Sequence, residues 1–272
     1  MTEASNPGSR VNDDGTISLL YEDHTGDSPA QYVVTSEDGL LFSDRGESVS
    51  NSVGGQFRAK QLPDGTWRGY GYDTTKGIEG GCLTSQSSSD GVTYTQDEGC
   101  RYTLQEEDEG WMGVYDFFAD SKDNIVLLYL GDKENLNNVR RAYSTDGGWT
   151  FTFTNDNVLN DEDLGGGSMS YVDEKVIVLS DSRVFLVAMQ QGDIYSFISE
   201  DDGVTFQRYK EILLEPSDFV SEEYGVASSL HDPQIIALED GSLRIYVTAF
   251  FKNDTVTKED DVQSIVSATT KV

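Results

Sequence analysis

A hairpin signal that returns along the chain constrains the fold more than any other feature of this sequence. In residues 232–250, "DPQIIALEDGSLRIYVTAF", an apolar run meets an Asp-Gly turn and a second apolar run follows, which is the pattern of a tight β-hairpin. The segment "NPGSRVNDDGTISLLYED" aligns with it without a gap, setting Asn6-Pro7 on Asp232-Pro233 and Asp14-Gly15 on Asp240-Gly241. Further copies begin at Gln56, Tyr115 and Asp173, and in the last two Asp123-Asn124 and Asp181-Ser182 replace Asp-Gly. After each of the first four copies a third run enters an acidic turn: "TSEDGLLF" (35–42), "SSSDGVTY" (87–94), "STDGGWTF" (144–151) and "SEDDGVTF" (199–206). The fifth copy ends in "QSIVSATTKV" without one.

Units of roughly 50 to 65 residues fall in the range of propeller blades. One such unit cannot bury both of its faces, so five stack radially and leave only short edges. Helical periodicity is scarce and short β-branched runs bounded by Gly, Asp and Ser recur, which predicts an all-β chain. The expected architecture is a β-propeller of five blades, each of three to four antiparallel strands. It forms a single domain over 1–272, with units near 6–50, 51–110, 111–168, 169–226 and 227–272. Six blades are the alternative, because the last unit lacks a fourth strand; that open edge predicts a partner strand.

The acidic turns resemble the Asp-box, or bacterial neuraminidase repeat, of sialidase-like and five-bladed glycosidase propellers. "SEDDGVTF" carries Ser199, Asp201, Gly203, Thr205 and Phe206 in the motif positions, and "STDGGWTF" ends in Phe where Trp is commoner. The resemblance implies that Asp and Ser bond backbone amides of their own turn, that Gly supplies a positive φ, and that the aromatic fills space between strands. It also implies a carbohydrate-active protein. Such turns lie on the outer hairpins, so the chemistry has to be sought elsewhere.

Asp and Glu number 49 against 19 Lys and Arg, a formal charge of −30. Acids dispersed this way make a solvated surface that repels nucleic acid and anionic lipid and suits a salty medium. No apolar run is long enough to span a bilayer. The two cysteines, Cys82 and Cys100, flank the hairpin around "SSDGVTY" and can either bond across it, which implies an oxidising compartment and an extracellular or cell-surface protein, or stay as buried thiols.

In a propeller the innermost strand of each blade starts at the central funnel, so the alignment names a ring of Asn6, Gln56, Tyr115 or Asp116, Asp173 and Asp232. Carboxylates across a polar funnel are what glycoside hydrolysis needs, one protonated and one ionised. The catalytic candidates are Asp116, Asp173 and Asp232 with Glu223 or its neighbour Glu222. Arg58, Tyr70, Tyr72, Tyr115, His231 and Phe250 are candidates for substrate binding, since aromatic faces suit sugar rings; Glu22 and His24 stand on the same loops.

The Glu-Gly-Pro segment usual for the acid in five-bladed glycosidases is absent. So is the Phe/Tyr-Arg-Ile-Pro segment of sialidases, with "FRAK" (57–60) its nearest remnant. Arg140, Arg141 and Arg183 fall on later strand positions and are expected to be exposed. With His24 and His231 the only histidines, a multi-histidine zinc site is not expected. No cofactor is expected, with calcium left open: "DSKDN" (120–124) partly resembles a calcium loop but reads as the hairpin turn, and "NDEDLGG" (160–166) offers clustered oxygens to a hard cation or forms a solvated connection between blades. The sequon "NDT" (253–255) predicts an exposed loop. The expected function is a glycoside hydrolase, exo-acting and sialidase-like or of the five-bladed type; the alternatives are a non-catalytic glycan- or protein-binding propeller and a structural module of a larger assembly.

Overall fold

The computed structural model of the chain describes residues 4–23, 25, 30–42, 46–48, 58–73, 81–91, 93–108, 112–131, 139–159, 171–252 and 261–272. Gln56, His24, the 160–166 loop and the sequon at 253–255 lie outside the described residues, as does the side chain of Arg58.

Successive antiparallel sheets follow one another along the chain, as the repeats demand. The first pairs β1 (Ala4–Val11), β2 (Ile17–Asp23), β3 (Ala30–Ser36) and β4 (Glu47–Ser48) in sequence order. In the second, β5 (Arg58–Gln61), β6 (Trp67–Asp73) and β7 (Cys82–Ser88) are joined by two short strands, β8 (Thr95–Gln96) and β9 (Tyr102–Thr103), which both pair with β7. The third runs β10 (Tyr115–Ala119), β11 (Ile125–Leu130), β12 (Val139–Ser144) and β13 (Thr152–Leu159), and the fourth β14 (Val172–Val178), β15 (Val184–Gln190), β16 (Asp193–Ser199) and β17 (Gln207–Leu214). A small hairpin, β18 (Val220–Ser221) with β19 (Gly225–Val226), precedes the fifth sheet of β20 (Ser229–Ala237), β21 (Leu243–Phe251) and β22 (Val262–Thr270). This is a five-bladed β-propeller of small meandering sheets. The fifth sheet has three strands among the described residues.

By packing, the chain divides into two compact units, one of Met1–Ser50, Leu186–Phe197 and Arg208–Val272, the other of Asn51–Phe185 and Ile198–Gln207. In the first, sheets one and five bury Ala4, Leu19, Tyr21 and Val34 against Ile236 and Tyr246. In the second, Tyr70, Leu83, Phe117, Leu127, Tyr129 and Phe151 belong to one apolar cluster. The middle strand of the third sheet is buried from Ile125 to Leu130, which is why "IVLLYL" runs apolar without alternation.

All four acidic turns close the same way, although two of them are one residue shorter. The serine hydroxyl donates to the aspartate two residues on, over 2.9 Å at Ser36, 2.8 Å at Ser88, 2.6 Å at Ser144 and 2.7 Å at Ser199. It accepts from the glycine N–H at Gly39, Gly91, Gly148 and Gly203 over 2.9 to 3.0 Å. Glycine is required there because φ lies between 67° and 81°, the left-handed region. Burial alone would raise the Asp146 carboxyl, but the hydroxyls of Ser144 and Thr150 and two backbone N–H groups outweigh it and hold it at about 2.

An Arg-x-Tyr pair on the second strand of one sheet latches the turn of the next. Arg244 and Tyr246 donate to the carbonyls of Asp38 (2.7 Å) and Gly39 (2.8 Å). Arg68 and Tyr70 donate to those of Gly147 (2.6 Å) and Gly148 (2.9 Å). The 120–124 hairpin turn, with Asp123 at φ 63°, holds the fourth-sheet turn through Ser121, whose N–H and hydroxyl donate to Asp202. Cys82 and Cys100 are bonded, with Cα atoms 5.6 Å apart.

Candidate functional site

Inner strands β1 and β20 share a local defect. In β1 the register shifts between Ser5 and Gly8, so Asn6-Pro7 bulge opposite Tyr21; in β20 it shifts between His231 and Gln234, so Asp232-Pro233 bulge opposite Val247. Proline has no N–H for the ladder and is tolerated at such a bulge. The residue before it is left-handed, with φ 51° at Asn6 and 48° at Asp232, and Asp173 on β14 is left-handed too, at 58°. Each such residue costs on the order of 1 kcal/mol, least for Asn and Asp. Three aligned openings thus carry the same strain, and a bulge of this kind re-aims a side chain.

In the first unit these openings gather polar groups. The Asn6 N–H donates to Thr248 Oγ1 (3.2 Å) and its amide to Glu22 Oε2 (2.8 Å). Thr248 stands opposite His231 in the register. The His231 Nε2 lies 3.0 Å from Ser229 Oγ, and its ring meets the edge of Phe250 at 4.7 Å between centroids. His231, Asp232 and Phe250 are half-buried. Asn6, Glu22, His231, Asp232 and Phe250 therefore share one end of sheets one and five, offering a carboxylate, an amide, an imidazole and an aromatic edge to a polar ligand.

In the second unit Asp116 is a strap. Its carboxylate lies 2.8 Å from Lys60 Nζ and accepts from the N–H of Phe117 and Val176, each at 2.9 Å. Lys60 also donates to the carbonyls of Phe117 (2.8 Å) and Val176 (3.0 Å). The pair ties β5, β10 and β14 together, and Asp116 is 2% exposed. That geometry suits a structural carboxylate rather than one meeting substrate.

Asp173, by contrast, is half-buried at its strained opening. Beside it stands Glu174, fully buried, and among the described residues neither of its carboxyl oxygens has a hydrogen-bond partner. Burial pushes Glu174 well above the usual carboxylate range; Lys175 opposes this, while Asp173 and Asp116 add to it. Glu174 is thus an acid whose charged form is disfavoured, next to a strained aspartate. Sequence reasoning missed it, though "DEKV" breaks the apolar alternation expected of an inner strand.

Several expected site residues have other roles. Tyr70 is fully buried, its hydroxyl bonded to Gly148 and its ring edge-on to Phe117 at 4.8 Å. Tyr115 donates to the Tyr70 carbonyl (2.8 Å), and Tyr72 is also buried. All three are packing residues, since no face is open to a sugar. Glu222 and Glu223 are exposed at the turn of the β18–β19 hairpin and not on an inner strand. Arg140 and Arg141, expected on the surface, are buried: Arg140 pairs with Asp108 at 2.5 Å and stacks 4.1 Å from the Phe153 centroid, and Arg141 lies 5.2 Å from that of Tyr143. Arg183 is partly exposed and bonded to Asp181. Among the described residues no group of three or more His, Cys, Asp or Glu side chains is placed to hold a metal, and no helix is long and apolar enough to cross a membrane.

Solved structures show the same architecture. A thermostable family-43 glycoside hydrolase superposes with TM-score 0.63 at 11% identity, over 97% of this chain and 89% of its own. The α-L-arabinofuranosidase from Lactobacillus brevis gives 0.63 at 12%, over 99% and 91%. The GH32 β-fructofuranosidase of Bombyx mori gives 0.61 at 15%, over 96% and 59%. These likenesses establish the fold. No family model and no curated protein matches the chain.

Proposed function

We propose that this chain is a carbohydrate-active propeller that hydrolyses glycosidic bonds with carboxylates at its inner-strand openings. The observation that carries this reading is the left-handed Asx repeated at Asn6, Asp173 and Asp232, because backbone strain persists where a side chain must be held for use. The glycoside hydrolases among the similar structures support the same reading. Asp173 in the second unit and Asp232 in the first are each candidates for the ionised carboxylate, nucleophile or base, and Glu174, as buried as Asp116, for a group that tunes Asp173 without meeting substrate. Asp116 positions β14, and His231 with Phe250 meets the sugar.

The outer turns support the Asp-box resemblance, yet the segment that carries the first substrate arginine of sialidases is absent, and Arg140 and Arg141 are buried in packing. The five-bladed glycosidase reading is therefore preferred to the sialidase one. A secreted or surface location accords with the Cys82–Cys100 bond.

Reducing-end release from a panel of polysaccharides and aryl glycosides, including a sialoside, with and without calcium, tests this. Asp173→Asn or Asp232→Asn should lower the rate by roughly a thousandfold or more with little change in melting temperature. Wild-type turnover in both variants would sink the proposal. Asn6 favours a second reading, glycan binding without hydrolysis, since it puts an amide where the other strained openings carry carboxylates; binding without release from any substrate would select it.

A further inference from the structure

Away from the inner-strand openings, a cavity of about 380 Å³ lies between β9 and the start of β13, a volume large enough for a small ligand. Its lining is mixed. Thr103 and Thr152 are exposed, Gln105 and Phe153 half-buried, and Tyr102 and Arg101 form buried wall. Threonine hydroxyls and a glutamine amide beside an aromatic ring are the groups that meet sugar hydroxyls and the apolar face of a sugar ring.

The walls are fixed before any ligand arrives. Cys100 is bonded to Cys82, Arg101 N–H donates to the Leu83 carbonyl (2.7 Å), and Phe151 N–H donates to the Arg101 carbonyl (2.9 Å). Behind them the Tyr102 hydroxyl lies 2.9 Å from that of Tyr129, which donates to Asp108 (3.0 Å). Burial raises the Tyr102 phenol to about 12, so this wall carries no phenolate charge. Rigid walls lower the entropic cost of binding.

Next to the cavity, Trp149 is 40% exposed. Arg68 lies 3.7 Å and Arg101 4.9 Å from its ring centroid. The guanidiniums donate to main-chain carbonyls, Arg68 to Gly147 and Arg101 to Trp149 and Glu98. They hold the indole in place, and with a chain charge of −30 the surrounding field disfavours an anionic ligand.

We propose that this cavity, with Trp149 at its side, is a second carbohydrate-binding site that takes a neutral sugar chain. It uses none of the residues at the inner-strand openings, so it would hold polysaccharide whether or not the chain hydrolyses it.

Affinity electrophoresis of the full chain through gels containing arabinan, xylan or inulin tests the site, in wild type and in Asp232→Asn. At least one polymer should retard both proteins. Trp149→Ala should weaken the retardation roughly tenfold, the scale of one aromatic stacking contact, and the Gln105→Ala/Thr152→Ala pair should weaken it severalfold, decisive even if Trp149→Ala fails to fold. The inference is overturned if no polymer retards the wild type, if the Gln105/Thr152 pair binds like the wild type, or if Phe250→Ala alone abolishes retardation. Failure of hydrolysis would overturn the catalytic reading and leave this one standing.

Discussion

Asp146 and Glu174 belong to the same compact unit and carry the same functional group, yet their surroundings are opposite. Asp146, on an outer turn, accepts from the hydroxyls of Ser144 and Thr150 and from the N–H groups of Trp149 and Thr150, all within 3.0 Å. Glu174, on an inner strand, is fully buried, and among the described residues neither of its oxygens has a hydrogen-bond partner. The turn completes its own hydrogen bonding within the seven residues 144–150, so its acid is structural. The inner strand leaves an acid uncompensated, and natural proteins keep such groups mainly where they are used.

Asp116 stands between these extremes and gives the largest expected change in stability. It lies on an inner strand but is satisfied as fully as a turn acid, through Lys60 and the N–H groups of Phe117 and Val176. Asp116→Ala should cost about 3 kcal/mol by leaving Lys60 and two N–H groups without their acceptor, measured by urea unfolding. Lys60→Met alone should cost less, because the Lys60 side chain is 31% exposed, and the double variant should fall short of the sum. A loss under about 1 kcal/mol for Asp116→Ala would return Asp116 to the catalytic candidates.

The pH dependence sharpens the comparison. Asp146 is depressed to about 2, so its stabilisation is present above the unfolded value near 4 and is lost as pH falls towards 2. Glu174 is raised, so the native state keeps a proton to higher pH than the unfolded chain, which releases it above the ordinary value of 4.5. Its contribution is full below that pH and declines as pH rises. Relative to wild type, Glu174→Gln should therefore gain melting temperature from pH 5 to pH 8, whereas Asp146→Asn should lose stability at pH 7 and approach wild type near pH 2. Identical pH profiles for wild type and Glu174→Gln would show that Glu174 does not hold its proton.

The sequence made the repeat legible because hairpin turns depend on local chemistry. Asp-Gly at 14–15 and 240–241, and Ser-x-Asp at four outer turns, satisfy their own backbones and need no partner far along the chain. Asn6-Pro7 and Asp232-Pro233 could be aligned for the same reason, since a residue before proline at a bulge has few conformations open to it. The side chains at the site were less legible. Tyr70, Tyr72 and Tyr115 read as platforms, yet strand position alone does not say whether a tyrosine faces a ligand or a neighbouring sheet. Lys60 gave no signal, because its partners Asp116 and Val176 lie 56 and 116 positions away, and Glu174 gave only the break in apolar alternation at "DEKV", which does not say that its side chain is buried.

The smallest expected effect concerns the latches. Tyr246 and Tyr70 stand at equivalent places on β21 and β6, each donating to a turn glycine, Gly39 and Gly148. Removing only the hydroxyl should cost about 1 kcal/mol, the net value of a buried hydrogen bond, slightly more because a buried carbonyl is left unpaired. Arg244 and Arg68 hold the preceding carbonyl in each case, so either turn keeps a second tether. Tyr246→Phe and Tyr70→Phe should then destabilise alike and leave hydrolysis per folded molecule unchanged, because the latch acts on the outer turn alone. A fall in activity with unchanged stability in either variant would mean that the outer turns influence the inner-strand openings, and the division between structural and functional acids would have to be redrawn around that coupling.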